Sequence, residues 1–578
     1  MTHVHRWLVP LIVIGLVTLS TNVAQPADGT SWIEAQTKFE ALVEQELGRG
    51  ILSGVSIALI DNDQIVYAKG FGFADTDAKI AATSQTVYRA GSISKLFTAV
   101  AAMRLGELVP VDLDAPLEKY NPGFRICDPF DNSPAITLRQ LMCHRSGMVR
   151  EAPVGGYFDD QQPTLDQTLA SLSDCVLASA PNAKTRYSNV GPSIVGQTIE
   201  KVSGETFGAF TQKHIFDVVG MQSSGWALTE PLATNMSAGY MRVAQPDGTF
   251  TRIRAPQFEL GTVPAGNLYT TVEDLGRFVT FLINQGSCGQ ETILKPETMV
   301  EMYRPQGGNE NRTFGLGFAL GKYREEPTVM HMGAVYGFTS SLVAIPSRKI
   351  GAVVLANEDI AIGPVQRLMA AALDTVATRR PEMIKPEVFP VQSSNRPPVA
   401  APAMQTSLED LVGEYESPGY WAEFILQEGS LQAVISGQPM TLRATGPLTF
   451  VANGRFVHES PITFELDGEG KIASCTALRQ KFSKLDPSEK LPEPPAAWSK
   501  FVGIYGPEFI PLIVSIRHGH LYAMTENEMD YRLTPMNRVV FRLPAGLYDD
   551  EQLIFQENAD GTVHSVLMAN FPLRRIRP

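Results

Sequence analysis

Two proline-rich stretches divide this sequence into one large piece and two small ones. The first holds six prolines between Pro381 and Pro402, and the second holds four between Pro487 and Pro495. Proline lacks the amide donor that the interior of a helix or sheet needs, so such stretches are typical of linkers. We therefore predict a large domain over 30–380 and two small units over 408–484 and 498–578, joined by linkers at 381–407 and 485–497.

The two small units resemble each other in sequence. Leu411-Val412-Gly413-Glu414-Tyr415 in the first matches Phe501-Val502-Gly503-Ile504-Tyr505 in the second, 90 positions later. Both units alternate apolar and polar residues between glycine-containing turns, and helical periodicity is nearly absent. We predict two small antiparallel β units, each curled into a barrel or half-barrel, which removes exposed strand edges.

The large piece has strand patterns at both ends and helical patterns between them. The segments 55–60 and 64–67 predict one hairpin, and 341–345 with 350–355 predict another. Helices are predicted near 364–378 and at the start, where one face carries Ile33, Phe39, Leu42, Val43 and Leu47. The economical topology joins both hairpins in one antiparallel sheet with a helical insertion, an α/β (α+β) domain.

The first 27 residues are typical of a secretory signal peptide. An apolar run over 8–19 follows Arg6, and small residues stand at Ala24 and Ala27. The run is too short to span a bilayer, which takes about 20 helical residues. We expect a secreted or periplasmic protein with no membrane span in its mature form; the alternative is an uncleaved anchor.

Charge and cysteine content exclude several classes of function. The formal net charge is −13 and no Lys/Arg-rich run exists, so a nucleic-acid partner is not expected. An odd, sparse set of cysteines is not a disulfide framework, although Cys127 and Cys143 could pair. We expect all five to be small buried side chains, and no Cys/His cluster has the spacing of a metal site.

Ser92-Ile93-Ser94-Lys95 is the only Ser-x-x-Lys sequence in the chain. It follows a predicted strand-to-helix turn, and residues three apart lie on one face of a helix. The Ser92 hydroxyl would then lie beside the Lys95 amine. A desolvated amine has a lowered pKa and can accept the serine proton. A solvated serine and lysine is the alternative for such a short motif.

Two further sequences carry residues suited to the same chemistry. Tyr187 near an ammonium would have its phenolate favoured, and the Asn189 amide can orient a lysine and a substrate carbonyl. His331 can polarise or bind a substrate. Gly333 beside a strand edge permits close approach of a substrate backbone, and the N–H of Ala334 can serve an oxyanion. Taken singly, a loop-anchoring tyrosine and a structural histidine are the simpler interpretations.

Together these sequences resemble the serine β-lactamase and penicillin-binding-protein superfamily, above all its class C-like branch of D-aminopeptidases, DD-peptidases and esterases. Two further stretches agree with it. Leu141-Met-Cys-His144-Arg-Ser146-Gly147-Met148 is similar to the family's Leu-Leu-x-His-Thr-Ser-Gly-Leu, and Pro264-Ala-Gly266-Asn-Leu-Tyr269 to its Pro-Ala-Gly-Gly-Leu-Tyr. The resemblance covers about 35–375. More weakly, the two trailing units resemble lipocalin-like barrels.

The resemblance implies a role for each matched position. Ser92 would be the acylated nucleophile, and Lys95 and Tyr187 would share the role of base. Asn189 would hold Lys95 and the substrate amide, and the N–H groups of Ser92 and Ala334 would form the oxyanion hole. The reaction would be acyl transfer to water, with no metal or organic cofactor.

His331 departs from the Lys-Thr-Gly sequence that β-lactamases of this superfamily usually carry. The change removes the cation that receives the carboxylate of penicillins. The resemblance therefore implies a secreted serine hydrolase acting on amides of small or unusual peptides, with D-residues or from linearised cycles. The alternatives are a carboxylesterase on the same site, a weak class C-like β-lactamase, and a non-catalytic penicillin-binding-type sensor. A carbohydrate- or lipid-binding role for the β units rests on aromatics such as Tyr420 and Trp421, which are more often core.

Overall fold

The computed structural model describes residues 18–19, 31–245, 249–307, 313–380, 407–548 and 551–577. Apart from Thr18 and Leu19, the predicted signal peptide lies outside these ranges, as does the linker 381–407 up to its last residue. The chain divides into two compact units: the larger contains the described residues of 16–243 and 250–385, and the second contains those of 244–249 and 386–578. Among the described residues, no helix is both long enough and apolar enough to span a bilayer.

The larger unit is built on one sheet that joins the two ends of its sequence. Ile350 pairs with Asp61 and Ala356 with Val55, so the last strand lies antiparallel beside the first long one. In sheet order the strands are Thr18–Leu19, Ala319–Tyr323, Glu326–Val335, Phe338–Ile345, Ile350–Ala356, Gly54–Asp61, Gln64–Asp75 and Ile80–Ala81. Both predicted hairpins and their union in one antiparallel sheet are confirmed.

Helices cover both faces of the central strands. Every residue of Gly54–Asp61, Phe338–Ile345 and Ile350–Ala356 is buried. Successive side chains of a strand point to opposite faces, so this pattern requires cover on both. Val272–Ile283 and Ile362–Ala377 pack on the sheet and provide that cover. This explains why these strands are almost continuously apolar in sequence, unlike antiparallel strands with one solvated face.

The helical insertion lies between the strands Gln64–Asp75 and Ala319–Tyr323. Its longest helices are Ser94–Leu108 and Val190–Ser203, which pack against each other. Shorter helices complete it: Leu138–Met142, Leu165–Ala170, Phe207–Thr211, Asp217–Val219, Glu230–Ala233, Val263–Gly266 and Pro296–Tyr303. A two-stranded pair, Tyr88–Arg89 with Tyr269–Thr270, leads directly into the turn that carries Ser92.

The second unit contains two all-β structures. The first is a closed barrel of eight antiparallel strands: Gly413–Glu416, Trp421–Gln427, Ser430–Ile435, Gln438–Gly446, Thr449–Gly454, Ser460–Leu466, Ile472–Ala477 and Gln480–Lys484. The second is a nine-stranded sheet of Gly503–Tyr505, Leu512–Arg517, His520–Met524, Asp530–Arg532, Thr534–Pro535, Val540–Arg542, Gln552–Glu557, Val563–Met568 and Phe571–Arg577. Its first strand pairs with its last through Ile504 and Arg577. Two small all-β units are therefore confirmed.

The sequence repeat between the β units corresponds to a repeated local structure. The Tyr415 hydroxyl donates to the carbonyl of Leu411 over 2.9 Å, and the Tyr505 hydroxyl donates to the carbonyl of Phe501 over 2.7 Å. Aromatic rings fill both interiors: Tyr415, Phe424, Phe450 and Phe464 in the first, and Phe501, Tyr505, Phe541 and Phe555 in the second. Tyr420 and Trp421 are also buried, and both contact the second β structure: the Tyr420 ring lies against Tyr531, and the Trp421 Nε1 donates to Asp530 over 3.1 Å.

Two sequence predictions about burial are wrong in part. The opening helix, Trp32–Gly48, buries Ala35, Phe39, Val43 and Glu46, and Ile33 is 73% exposed because its position lies off that face. All five cysteines are free, so Cys127 and Cys143 do not pair. Cys127 is exposed and Cys288 is half-buried, which leaves only three of the five as buried side chains.

Candidate active site

Ser92 and Lys95 lie together at the start of a buried helix. Ser92 belongs to the single turn Gly91–Ile93, which continues directly into the helix Ser94–Leu108. The Lys95 Nζ lies 2.9 Å from the Ser92 Oγ and donates to the carbonyl of Ala265 over 2.7 Å. Lys95 is 1% exposed, whereas Ser92 is only half-buried and stays accessible. The spacing of three residues thus places a desolvated amine against an accessible hydroxyl, as predicted.

Burial lowers the pKa of Lys95 well below its ordinary value. The Glu151 carboxylate opposes this shift and the Arg150 guanidinium adds to it. A charged ammonium loses its hydration when buried, so burial favours the neutral amine. A neutral Lys95 amine is able to accept the Ser92 proton.

Tyr187 is buried beside this pair, with its ring 4.9 Å from the Lys95 Nζ. Burial raises the pKa of the Tyr187 phenol, and the opposing effects of Ser92 and the Arg150 cation are smaller. The structure therefore differs from the expectation of a favoured phenolate, because desolvation of the anion outweighs the Ser92 hydrogen bond and the Arg150 charge. Tyr187 is a neutral phenol in this site, suited to donating or relaying a proton rather than serving as the resting base.

Asn189 contacts a carboxylate and not the lysine. Its Nδ2 donates to Glu151, while the described hydrogen bonds of Lys95 go to Ser92 and Ala265. The expectation that Asn189 holds Lys95 is therefore wrong in this structure. The Asn189 Oδ1 is buried and has no hydrogen-bond partner among the described residues, so it remains available to an incoming donor.

His331 lies on the strand Glu326–Val335, at the point where that strand loses a neighbour. Ala319–Tyr323 pairs only with residues 326–330, so from His331 onward this edge of Glu326–Val335 has no neighbouring strand. The His331 Nδ1 lies 2.6 Å from the carbonyl of Met332, so Nδ1 carries the proton and the buried Nε2 is an acceptor. Burial, with help from the Lys95 charge, lowers the pKa of His331 to about 3. The imidazole is therefore neutral.

The part of the strand edge that has no neighbouring strand packs against the turn that carries Ser92. A Cβ added at Gly333 would lie 2.0 Å from the Ala90 carbonyl oxygen and 3.0 Å from the Ser92 nitrogen. Gly91 has φ +54°, and a Cβ added there would lie 2.9 Å from the Ala334 nitrogen. Only glycine fits at either position. The amides of Ser92 and Ala334 therefore lie on neighbouring segments in close contact, as an oxyanion site needs.

The Tyr187–Asn189 loop is held by residues whose roles the sequence did not reveal. The His144 ring stacks on the Tyr187 ring with centroids 4.4 Å apart, and its Nδ1 accepts from the Ser188 amide over 3.2 Å. The family resemblance covered His144 and Ala265 but assigned them no role. No sequence motif pointed to Glu151. No group of three or more His, Cys, Asp or Glu side chains is placed to hold a metal ion in the described part of the chain.

Comparison with known proteins gives one family and several similar structures. The sequence model of the β-lactamase family matches residues 39–377. "Protein flp" of Staphylococcus aureus (strain MW2) is 24% identical over 330 residues, which are 56% of this chain and 63% of that protein. The chain therefore spans less than two thirds of the length of this relative.

Two solved structures have a similar fold. The octameric penicillin-binding protein homologue from Pyrococcus abyssi has a TM-score of 0.52 at 23% identity, covering 78% of this chain and 100% of that one. The D-amino acid amidase from Ochrobactrum anthropi SV3, complexed with D-phenylalanine, has a TM-score of 0.52 at 21% identity. The match covers 60% of this chain and 100% of the amidase chain. At this level of identity the likeness concerns the fold.

Proposed function

This chain belongs to the β-lactamase family, and from that premise we propose that it is a secreted serine hydrolase that cleaves amide bonds of small or unusual peptides through an acyl-enzyme on Ser92. The observation that carries the proposal is the contact of 2.9 Å between the Ser92 Oγ and a buried lysine whose pKa is lowered. A pure binding protein has no need of such a base, which argues against a sensor.

In the proposed reaction, Ser92 attacks the carbonyl carbon of the substrate. Its Oγ–H proton passes to the neutral Lys95 amine as the Oγ–C bond forms, and the N–H groups of Ser92 and Ala334 stabilise the oxyanion. The C–N bond then breaks, and the departing amine takes a proton relayed through the Tyr187 hydroxyl. Water repeats the sequence on the acyl-enzyme, releasing the acid and restoring Ser92.

His331 supports the choice of substrate. A neutral imidazole with an acceptor nitrogen provides no cation for the carboxylate of a penicillin, so we expect at most weak β-lactamase activity. It suits a substrate that presents an N–H or ammonium group there, as a peptide with a free amine does. The D-amino acid amidase of similar fold is consistent with a substrate of this class. A carboxylesterase is the second candidate, because a neutral site also accepts an uncharged ester.

A side-by-side assay tests this proposal. Purified protein is given a D-amino-acid amide, the ester of the same amino acid and a chromogenic cephalosporin, with Ser92→Ala as control. We expect Ser92-dependent turnover of the amide and little turnover of the cephalosporin. Turnover of the ester alone would favour the carboxylesterase, and cephalosporin as the best substrate would contradict the role given to His331.

A further inference from the structure

Three hydrogen bonds among the described residues join the loop that carries Tyr187 and Asn189 to the segment 149–151. The Ser188 hydroxyl donates to the carbonyl of Val149 over 2.7 Å, and the Asn189 amide donates to the carbonyl of Arg150 over 2.8 Å. The third bond runs from the Asn189 side chain to the Glu151 carboxylate. Of the three, only this last one depends on a charged side chain.

Glu151 is an acid buried beside the base of the site. It is 1% exposed, and its Oε1 lies 3.8 Å from the Arg150 Nε. A carboxylate is costly to bury unless it is paired and hydrogen-bonded. A packed amide or apolar side chain at position 151 would avoid that cost. The buried charge of Glu151 therefore indicates a function for this side chain.

We propose that Glu151 is a positioning residue for the hydrolytic reaction: its buried carboxylate holds the Asn189 amide in place and adds a negative charge to the surroundings of Lys95. This inference rests on the proposed function, because it assigns Glu151 to the same Ser92 chemistry. The charged groups that act on Lys95 are Glu151 and Arg150. The other titratable groups around it are Tyr187, His144 and His331, and burial keeps all three neutral.

The two charges act on the pKa of Lys95 in opposite directions. Glu151 raises it and Arg150 lowers it. Acylation needs the neutral amine, so the rate rises as the pH rises through the pKa of Lys95. Removing the Glu151 charge lowers that pKa and moves the acid limb of the pH–rate profile to lower pH. Removing the Arg150 charge moves the limb to higher pH. A merely structural role would reduce the rate without moving the limb.

The test measures the rate of Ser92 labelling by a fluorophosphonate against pH in the full chain. Glu151→Gln keeps an oxygen that accepts from Asn189 and removes the charge. We expect its acid limb to lie at lower pH, because a negative charge that favours the ammonium form of Lys95 has been removed. Its plateau should stay within about tenfold of the unsubstituted protein, as expected when an acceptor is kept. Glu301→Gln is the matched control, since Glu301 pairs with Arg139 and is not among the groups that act on Lys95.

An acid limb that stays in place or rises in a folded Glu151→Gln variant would overturn the inference. If that variant does not fold, Arg150→Gln decides: a limb at higher pH supports the inference, and one that is unmoved or lower overturns it. Absence of labelling at Ser92 in the unsubstituted protein would instead be a failure of the proposed function, so the two failures are distinguishable.

Discussion

Burial is what gives the side chains around Ser92 their chemistry. The same physical effect lowers the pKa of Lys95, lowers that of His331 and raises that of Tyr187, because in each case the charged form loses its hydration. All three are therefore biased towards their neutral forms. A neutral amine, a neutral phenol and a neutral imidazole suit proton transfer during attack on an uncharged amide.

Tyr187→Phe should lower the rate of hydrolysis without moving the acid limb of the pH–rate profile. The phenol is protonated across the working range, so the limb reports Lys95 and not Tyr187. Loss of a proton relay typically lowers the rate by about 10²–10⁴-fold. The measurement is kcat/KM against pH for both proteins. A limb that disappears in the variant would show that Tyr187 is the titrating base after all.

His331 should remain a neutral imidazole well below the pH at which an exposed histidine gains a proton. Its pKa of about 3 follows mainly from burial, so its ring carbon resonances should stay constant from pH 8 to about pH 4. Nuclear magnetic resonance of protein labelled at histidine, with His331→Gln to assign the signal, measures this directly. A transition near pH 6.5 would mean that the imidazole is hydrated and available as a cation.

Among the elements, the site depends on a strand edge that meets a helix start at two glycines, Gly333 and Gly91. The edge is available because Ala319–Tyr323 ends its pairing at Met330, one residue before His331. The turn Gly91–Ile93 fills the vacant side of the edge, and glycine stands on both partners, at Gly91 and Gly333. A backbone contact of this kind is stiff, which suits donors that must be aligned before charge develops.

Gly333→Ala should abolish most labelling at Ser92. The new methyl group would meet the Ala90 carbonyl at 2.0 Å and must push the strand and the turn apart. Overpacking costs about 1–3 kcal/mol of stability, and loss of one oxyanion donor lowers kcat by about 10²–10³-fold. Denaturant unfolding and labelling rates measure the two effects.

Gly106→Ala is the control for that substitution. Gly106 lies in the helix Ser94–Leu108, and an added Cβ there would approach nothing nearer than the Val111 carbonyl oxygen at 4.0 Å. The Gly106→Ala variant should be labelled fully at Ser92 and should be slightly more stable to unfolding, since alanine favours helix over glycine by about 0.5–1 kcal/mol. Equal labelling by the two variants would contradict the close approach at Gly333.

The sequence predicted the elements of the site better than their contacts. The spacing of Ser92 and Lys95 along one helix determines their proximity, so local geometry was enough. The protonation of Tyr187 and the partner of Asn189 depend on burial and on Glu151, which is 38 residues away from Asn189 in the chain. No short motif encodes such a contact, and a pKa set by desolvation cannot be predicted before the packing is known.

For the whole molecule, the sequence repeat corresponds to a duplicated β structure. The paired tyrosines Tyr415 and Tyr505 each donate to a carbonyl four residues earlier, and both hydrogen bonds are buried. The division into one large and two small pieces is a prediction from the two proline-rich stretches, because proline lacks the amide donor that regular elements need. The exposure of Ile33 was missed because the sequence prediction assigned it to the apolar face of the opening helix, whereas its position lies off the face that Ala35, Phe39 and Val43 define.

Tyr415→Phe and Tyr505→Phe should destabilise the β units by similar amounts. Each leaves a buried carbonyl without its donor, at a cost of about 1–2 kcal/mol. The double variant should show the sum, since the two sites lie in separate β structures. Denaturant unfolding followed by tyrosine and tryptophan fluorescence measures this. A clear loss of stability in one variant and none in the other would contradict the duplication of the motif.

Ser92 should react as a nucleophile activated by a neutral Lys95. The decisive experiment treats the purified protein with a fluorophosphonate and maps the modified peptide by mass, with Ser92→Ala and Lys95→Met alongside. We expect one adduct on Ser92, none in Ser92→Ala, and labelling slowed at least about 10²-fold in Lys95→Met. A well-folded protein that takes no label, or takes it equally fast without Lys95, would contradict the account.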